Sequence, residues 1–244
     1  EYTKVKIAED SVIEGIIGTP YTAEKADVRA DYTCINETPE NYTGTMTKSD
    51  IEVTFYYELK DTQIGSVIEK EAQASRADEI QVGTGEFNED GSEITETKLV
   101  PVLTKEDGEV TYKISYRIGA KDYKGKVTAS IVDTLPYEID VSKSDFGGGI
   151  YNSRDNTITW TEERNVDTFA NGMYDETIEK QFTVVYVDQD VTKPIVNTVT
   201  GNMFIYYPEV HSTKPGEIRL SGQTETTAEV VQEYKVNKTV EKVW

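Results

Sequence analysis

Residues 109–118, "EVTYKISYRI", alternate without a break: Val110, Tyr112, Ile114, Tyr116 and Ile118 on one side, polar residues on the other. A helix would scatter these five around its circumference, whereas a pleated strand puts them all on one face. The stretch can therefore bury its apolar side only as a strand laid against another apolar layer. The same period returns in "KVTASIVDTLP", in "NTITW" (Ile158, Trp160) and in "KQFTVVYV" (Phe182, Val184, Tyr186). "PIVNTVTGNMFIYY" adds one or two more strands, and the turn clusters "KEDG", "FGGG" and "SRDN" separate them. Many alternating strands without a convincing helix predict an all-β chain with a β-sandwich over residues 94–207.

Composition agrees and narrows the function classes. There are 16 Tyr against 3 Met, and Val, Ile and Thr recur, which favours strands. A formal net charge of −20 argues against nucleic acid and anionic membrane surfaces, both of which demand a basic face. No segment approaches the roughly 20 apolar residues of a membrane span. Cys34 is the one cysteine, so an intrachain disulfide, a redox pair and a cysteine-rich zinc site are excluded. His211 is the one histidine, and no nucleophile-elbow motif accompanies it. "FGGGI" lacks the helix and lysine of a phosphate cradle. Asn88, Glu89, Asp90 and Glu93 do not have the spacing of a cation loop. No cofactor and no metal are therefore expected. A glycosidase would need two carboxylates across a cleft, and nothing among the 45 acidic residues singles out such a pair.

Four polar residues sit on the wrong side of their strands, three of them within residues 94–207. Asp133 follows Val127, Ala129 and Ile131 on the apolar face of "KVTASIVD". Asn197 has the parity of Ile195 and Val199. Lys98 has the parity of Val100 and Val102 in "ETKLVPV", and Lys238 repeats the pattern beside Val236 and Val240. An unpaired buried charge costs several kcal/mol, so such groups are expected to meet one another. A Lys, an Asn and an acid buried together can react. Burial favours the neutral amine and the protonated acid, and the amine can then attack the carboxamide carbon and expel ammonia. The product is an isopeptide bond, formed once and without cofactor. In the alternative reading, Asp133 caps the backbone of the "DTLP" turn, Lys98 snorkels at a strand edge and Asn197 satisfies a neighbouring backbone group.

Two family resemblances organise the chain. "EGIIGTPY" followed by "DYTCINETPENYTGTMTKSDIEVTFYY", within residues 5–59, resembles the mucin-binding-protein (MucBP) repeat of Gram-positive surface proteins. This implies a small β-grasp-like module over residues 1–60, bacterial adhesion, and a glycan or protein ligand. Lys98 with "DGEVTY", "VDTLP", "TITW" and "IVNTVT" resembles the isopeptide-forming CnaA/DUF11-like sandwiches, an Ig-like architecture of adhesins and pilins. That resemblance implies a cross-link between Lys98 and Asn197, assisted by Asp133.

Residues 61–93 read as a polar connector, with a thin helical stripe of Ile64, Val67, Ile68 and Ala72. Residues 208–244 read as a linker and the start of a further repeat, because "PGEIRLSGQTETTAEVVQEYKVNKTVEKV" echoes "ADEIQVGTGEFNEDGSEITETKLVPVL". Lys238 is then the next repeat's equivalent of Lys98, and neighbouring repeats are expected partners. The chain is expected to be a fragment of a cell-wall-associated stalk protein displayed outside a Gram-positive cell. It is not expected to be an enzyme beyond a single self-directed turnover. The rival expectation is a glycan- or mucin-binding module in which residues 1–60 make the contact.

Overall fold

The computed structural model describes residues 4–103, 108–187 and 193–232. Its first part is built from short strands. β1 (Pro20–Thr22) pairs with β3 (Thr43–Thr45), and β2 (Tyr32–Cys34) pairs with β4 (Tyr57–Leu59), both antiparallel. Asn36 ties the second pair together, because its side chain donates to the Thr54 carbonyl at 2.9 Å and accepts from the Tyr56 N–H.

The rest is a two-layer sandwich. Its long strands are β5 (Gln63–Ala74), β6 (Arg76–Phe87), β7 (Glu93–Leu103), β8 (Glu109–Lys121) and β9 (Lys124–Thr134). After them come β10 (Ile150–Asn152), β11 (Thr157–Asp167), the single-turn helix α1 (Thr168–Asn171), β12 (Tyr174–Val185), β13 (Ile195–Tyr206) and β14 (Ile218–Gln232). One sheet has the order β12-β8-β5 and the other β10-β11-β9-β13-β14-β7-β6. The chain is thus all-β, as its periodicity demanded.

The alternating residues do what their spacing implies. Val110, Tyr112, Ile114, Tyr116 and Ile118 of β8 are all buried, and they face Ile131, Ile158, Val199, Met203 and Ile205 of the opposite layer within one core. Burial of each such side chain contributes roughly 1.5–3 kcal/mol. Gly201 on β13 marks a close approach, since a Cβ there would lie 2.5 Å from Cε2 of the Tyr116 ring. The chain changes sheets at one end through the Asp122–Tyr123 corner, with Asp122 at φ +56°, and through α1. Thr168 joins these crossings: its hydroxyl accepts from the Tyr123 N–H at 2.9 Å and donates to the Tyr123 carbonyl at 3.0 Å.

Two stretches differ from the sequence expectation. Residues 63–74 are not connector or helix but the edge strand β5, and Val67, part of the supposed helical stripe, is 57% exposed. Its inward residues are Ile64, Ser66, Ile68, Lys70, Ala72 and Ala74, a period of two masked by polar members. Residues 218–232, expected to open a further repeat, instead form β14, hydrogen-bonded to β13 along its length. The sandwich therefore draws strands from residues 63–232 rather than 94–207.

Candidate functional site

β9 and β13 run antiparallel with Asp133 opposite Val199. Asp133 and Asn197 are therefore diagonal neighbours on the inner face of the larger sheet. From the other layer, β5 pairs with β8 so that Lys70 lies opposite Ile114 and Ala72 opposite Tyr112. Lys70 reaches across the sandwich, and its ammonium donates to Asp133 Oδ2. The Lys70 and Asp133 side chains are 0% exposed, and Asn197 is equally closed from solvent.

The wall of this site is aromatic. Lys70 Nζ lies 4.6 Å from the centroid of the Tyr112 ring and 5.6 Å from that of Phe182. Tyr112 stacks on Phe182 at 5.2 Å, and Trp160 packs against Phe182 at 5.3 Å. The hydroxyls of Tyr112 and Tyr186 are 3.0 Å apart. Both carboxamide atoms of Asn197 and Asp133 Oδ1 are buried without an aligned hydrogen-bond partner. The carboxamide nevertheless sits close enough to Asp133, Tyr112 and Tyr186 to act on the ionisation of each. Orphaned polar atoms of this kind are rare in native cores.

Burial sets the protonation states. It lowers the Lys70 amine to about 8, against the opposing attraction of Asp133. Burial also raises the Asp133 carboxyl, offset in part by Lys70 and Asn197. Both shifts favour the uncharged pair, an amine beside a carboxylic acid. The same burial keeps the Tyr112 and Tyr186 hydroxyls protonated.

Two of the residues singled out by parity, Asp133 and Asn197, are brought together, and Lys98 is not. Lys98 lies on β7 opposite Ile80 of β6, and it is exposed. It does share a face with buried Val100 and Val102, but at its position the β6–β7 hairpin has run past the body of the sandwich. Parity fixes the side of a strand and not the depth. Lys70 occupies the place foreseen for Lys98, and its signal was the pattern Ile64-x-Ser66-x-Ile68-x-Lys70-x-Ala72-x-Ala74. Lys238 lies outside the described residues. The acidic turn is used internally, with Asp90 Oδ1 accepting from the Ser92 N–H at 2.9 Å and from its hydroxyl at 2.6 Å.

Comparison with known proteins adds a family to the first part of the chain. Residues 1–58 match the MucBP domain model. None of the curated proteins matches. Among solved structures, BcpA, the major pilin subunit of Bacillus cereus, is similar with a TM-score of 0.33 and 13% identity. The alignment covers 86% of this chain and 54% of the pilin, so this chain spans about half the pilin's length. The residues that match the MucBP model, 1–58, are thus followed in the chain by an all-β sandwich.

Proposed function

We propose that this segment is a load-bearing stalk element of a bacterial surface protein, locked by a self-formed isopeptide bond between Lys70 and Asn197. The observation that carries the reading is the sealed site itself: an amine, a carboxyl and an unpartnered carboxamide converge where water does not reach. Asp133 takes a proton from Lys70, and the neutral amine attacks Cγ of Asn197. A proton from the attacking nitrogen passes through Asp133 to the departing Nδ2, which leaves as ammonia. The balance is one amine and one carboxamide giving one amide and one ammonia.

The bond would join β5 of one sheet to β13 of the other and close a loop of well over 100 residues. By the chain-entropy reasoning used for disulfides, such a tie stabilises by about 5 kcal/mol. A chain with a single cysteine has no disulfide to serve this purpose. Intact-mass measurement of the purified protein tests the proposal. A deficit of one ammonia is expected in the wild type and in Lys98→Ala, and it should vanish in Lys70→Ala and in Asn197→Ala. A wild type at its full calculated mass would sink the cross-link.

The MucBP match favours a second, compatible role, adhesion to glycan or mucin through residues 1–58. Binding to mucin glycans by the whole segment, lost when the exposed Tyr56 is replaced, would support it; a flat response across mucins would leave the stalk role alone.

A further inference from the structure

We propose that residues 4–60 have no stable fold of their own and are held in shape by a charged joint on the sandwich, so that the joint governs whether this module is folded. A small domain holds together by burying apolar surface, and near 60 residues that burial is marginal even in favourable cases. Here it is close to absent. Asp31, at 3% exposure, is the one buried residue among residues 4–60, and none of their apolar side chains belongs to the core. Val12, Ile13, Ile16 and Ile17 stand in solvent, Val12 at 83% exposure. The strands β1 to β4 are three residues long each and form two separate pairs, and an isolated two-stranded pair is marginal in water. A single cysteine offers no intrachain disulfide as a staple.

The module's one buried group lies where it meets the sandwich. Arg29 holds Asp31 by two bonds, Nε to Oδ1 at 3.0 Å and Nη2 to Oδ2 at 2.7 Å. The same Nη2 donates to the Lys124 carbonyl at 3.1 Å, at the corner where β9 begins. A buried carboxylate is tolerated only while paired, so Asp31 stays enclosed only while Arg29 holds it against this corner. The Asp31 carbonyl accepts from the Lys60 N–H at 2.9 Å. Lys60 Nζ donates to the Ala30 carbonyl at 2.6 Å and lies 4.8 Å from the centroid of the Phe169 ring on α1.

The β13–β14 side of the sandwich closes the joint. Tyr32 donates to the His211 carbonyl at 2.9 Å. The Lys6 carbonyl can only accept, so at 2.9 Å the His211 Nδ1–H is the donor. His211, at φ +60°, thus meets the module with both its backbone and its ring. Arg219 of β14 donates to the Lys60 carbonyl at 2.6 Å. The module therefore has its enclosed charge and its charge-assisted bonds at the joint, and little else to keep it folded. Any ligand carried by residues 4–60 is carried only while the joint is closed.

Hydrogen exchange on the whole segment, read amide by amide, tests this. The reporters are the Ala23 and Met46 amides, which donate to the Tyr42 and Thr19 carbonyls inside the module, and the β8 amides of the sandwich. Arg219→Ala alters the joint from the sandwich side, and Arg29→Ala alters it from the module side. Each should speed exchange at Ala23 and Met46 by about 10-fold or more, the loss of one or two hydrogen bonds to a charged group, with β8 unchanged. Lys25→Ala, which removes the exposed pair with Glu37 at 2.7 Å, should leave all reporters at wild-type rates. Wild-type rates at Ala23 and Met46 in Arg219→Ala would overturn the proposal, because the module would then be holding itself together. Equal acceleration in β8 would overturn it as well, since module and sandwich would be opening as one unit.

Discussion

Lys70 and Asp133 pull stability in opposite directions as pH changes, and this gives the buried site a signature before any bond forms. Asp133 has its carboxyl raised by burial, so the folded state holds its proton longer than the unfolded state. Stability is lost as pH climbs from the ordinary carboxylate range through the raised value. Lys70 is lowered to about 8, so between about 8 and the ordinary lysine value the unfolded chain binds more protons, and stability rises with pH. In Asn197→Ala, which keeps the pair but cannot cross-link, unfolding free energy should rise by about 3 kcal/mol between pH 8 and pH 10.5. The double variant Lys70→Met/Asn197→Ala should lack that rise. Chemical denaturation of the two across this window measures the difference, and parallel curves would show that Lys70 is not buried as a titrating amine. Once the amine has become an amide the group no longer titrates, so the wild type should also lack the rise.

At the scale of single elements, the sequence was most readable where both members of a pattern were plain. β8 alternates five apolar residues against five polar ones, and its inner face is fully buried. Asp133 and Asn197 were legible for the same reason, each being one polar residue in an otherwise apolar row. β5 was not, because its inner face mixes Ile64 and Ile68 with Ser66, Lys70 and alanines, while Val67 on the outer face imitates a helical stripe. Lys98 misled for the complementary reason: its row is apolar, but β7 leaves the core before reaching it. Depth depends on which strands lie opposite, and a single strand's sequence does not carry that information. Gly201 illustrates the point from the other side. Its row on β13 reads as a gap, yet the Tyr116 ring fills it, and Gly201→Ala should cost roughly 1–3 kcal/mol by overpacking. Denaturant unfolding in the Lys70→Ala background checks this, and a neutral substitution there would mean that the ring has room to move.

For the whole molecule, the proposed load-bearing role turns on the path that an applied force would take. The β5 strand enters the sandwich directly after the first module, and β14 is its last described strand, so tension applied to the two ends of this segment would act on β5 and β14. Side chains also brace the entry point. Arg219 of β14 donates to the Lys60 carbonyl at 2.6 Å and to the Thr62 hydroxyl at 2.9 Å, and Tyr32 donates to the His211 carbonyl at 2.9 Å. With Lys70 joined to Asn197, tension passes from β5 into β13 through one covalent bond. Everything between residues 70 and 197, including the aromatic core strands β8, β9, β11 and β12, then lies off the loaded path. Without the bond, the same tension peels β5 from β8 and unravels the entire sandwich. Single-molecule pulling from the two ends should therefore give a far smaller extension for the wild type than for Lys70→Ala. The difference should be on the order of 400 Å, the extended length of the sequestered segment at about 3.5 Å per residue. Equal extensions would mean that no covalent tie joins β5 to β13. An intermediate population would instead report the fraction of molecules in which Lys70 has reacted, and that fraction should match the ammonia deficit seen by mass.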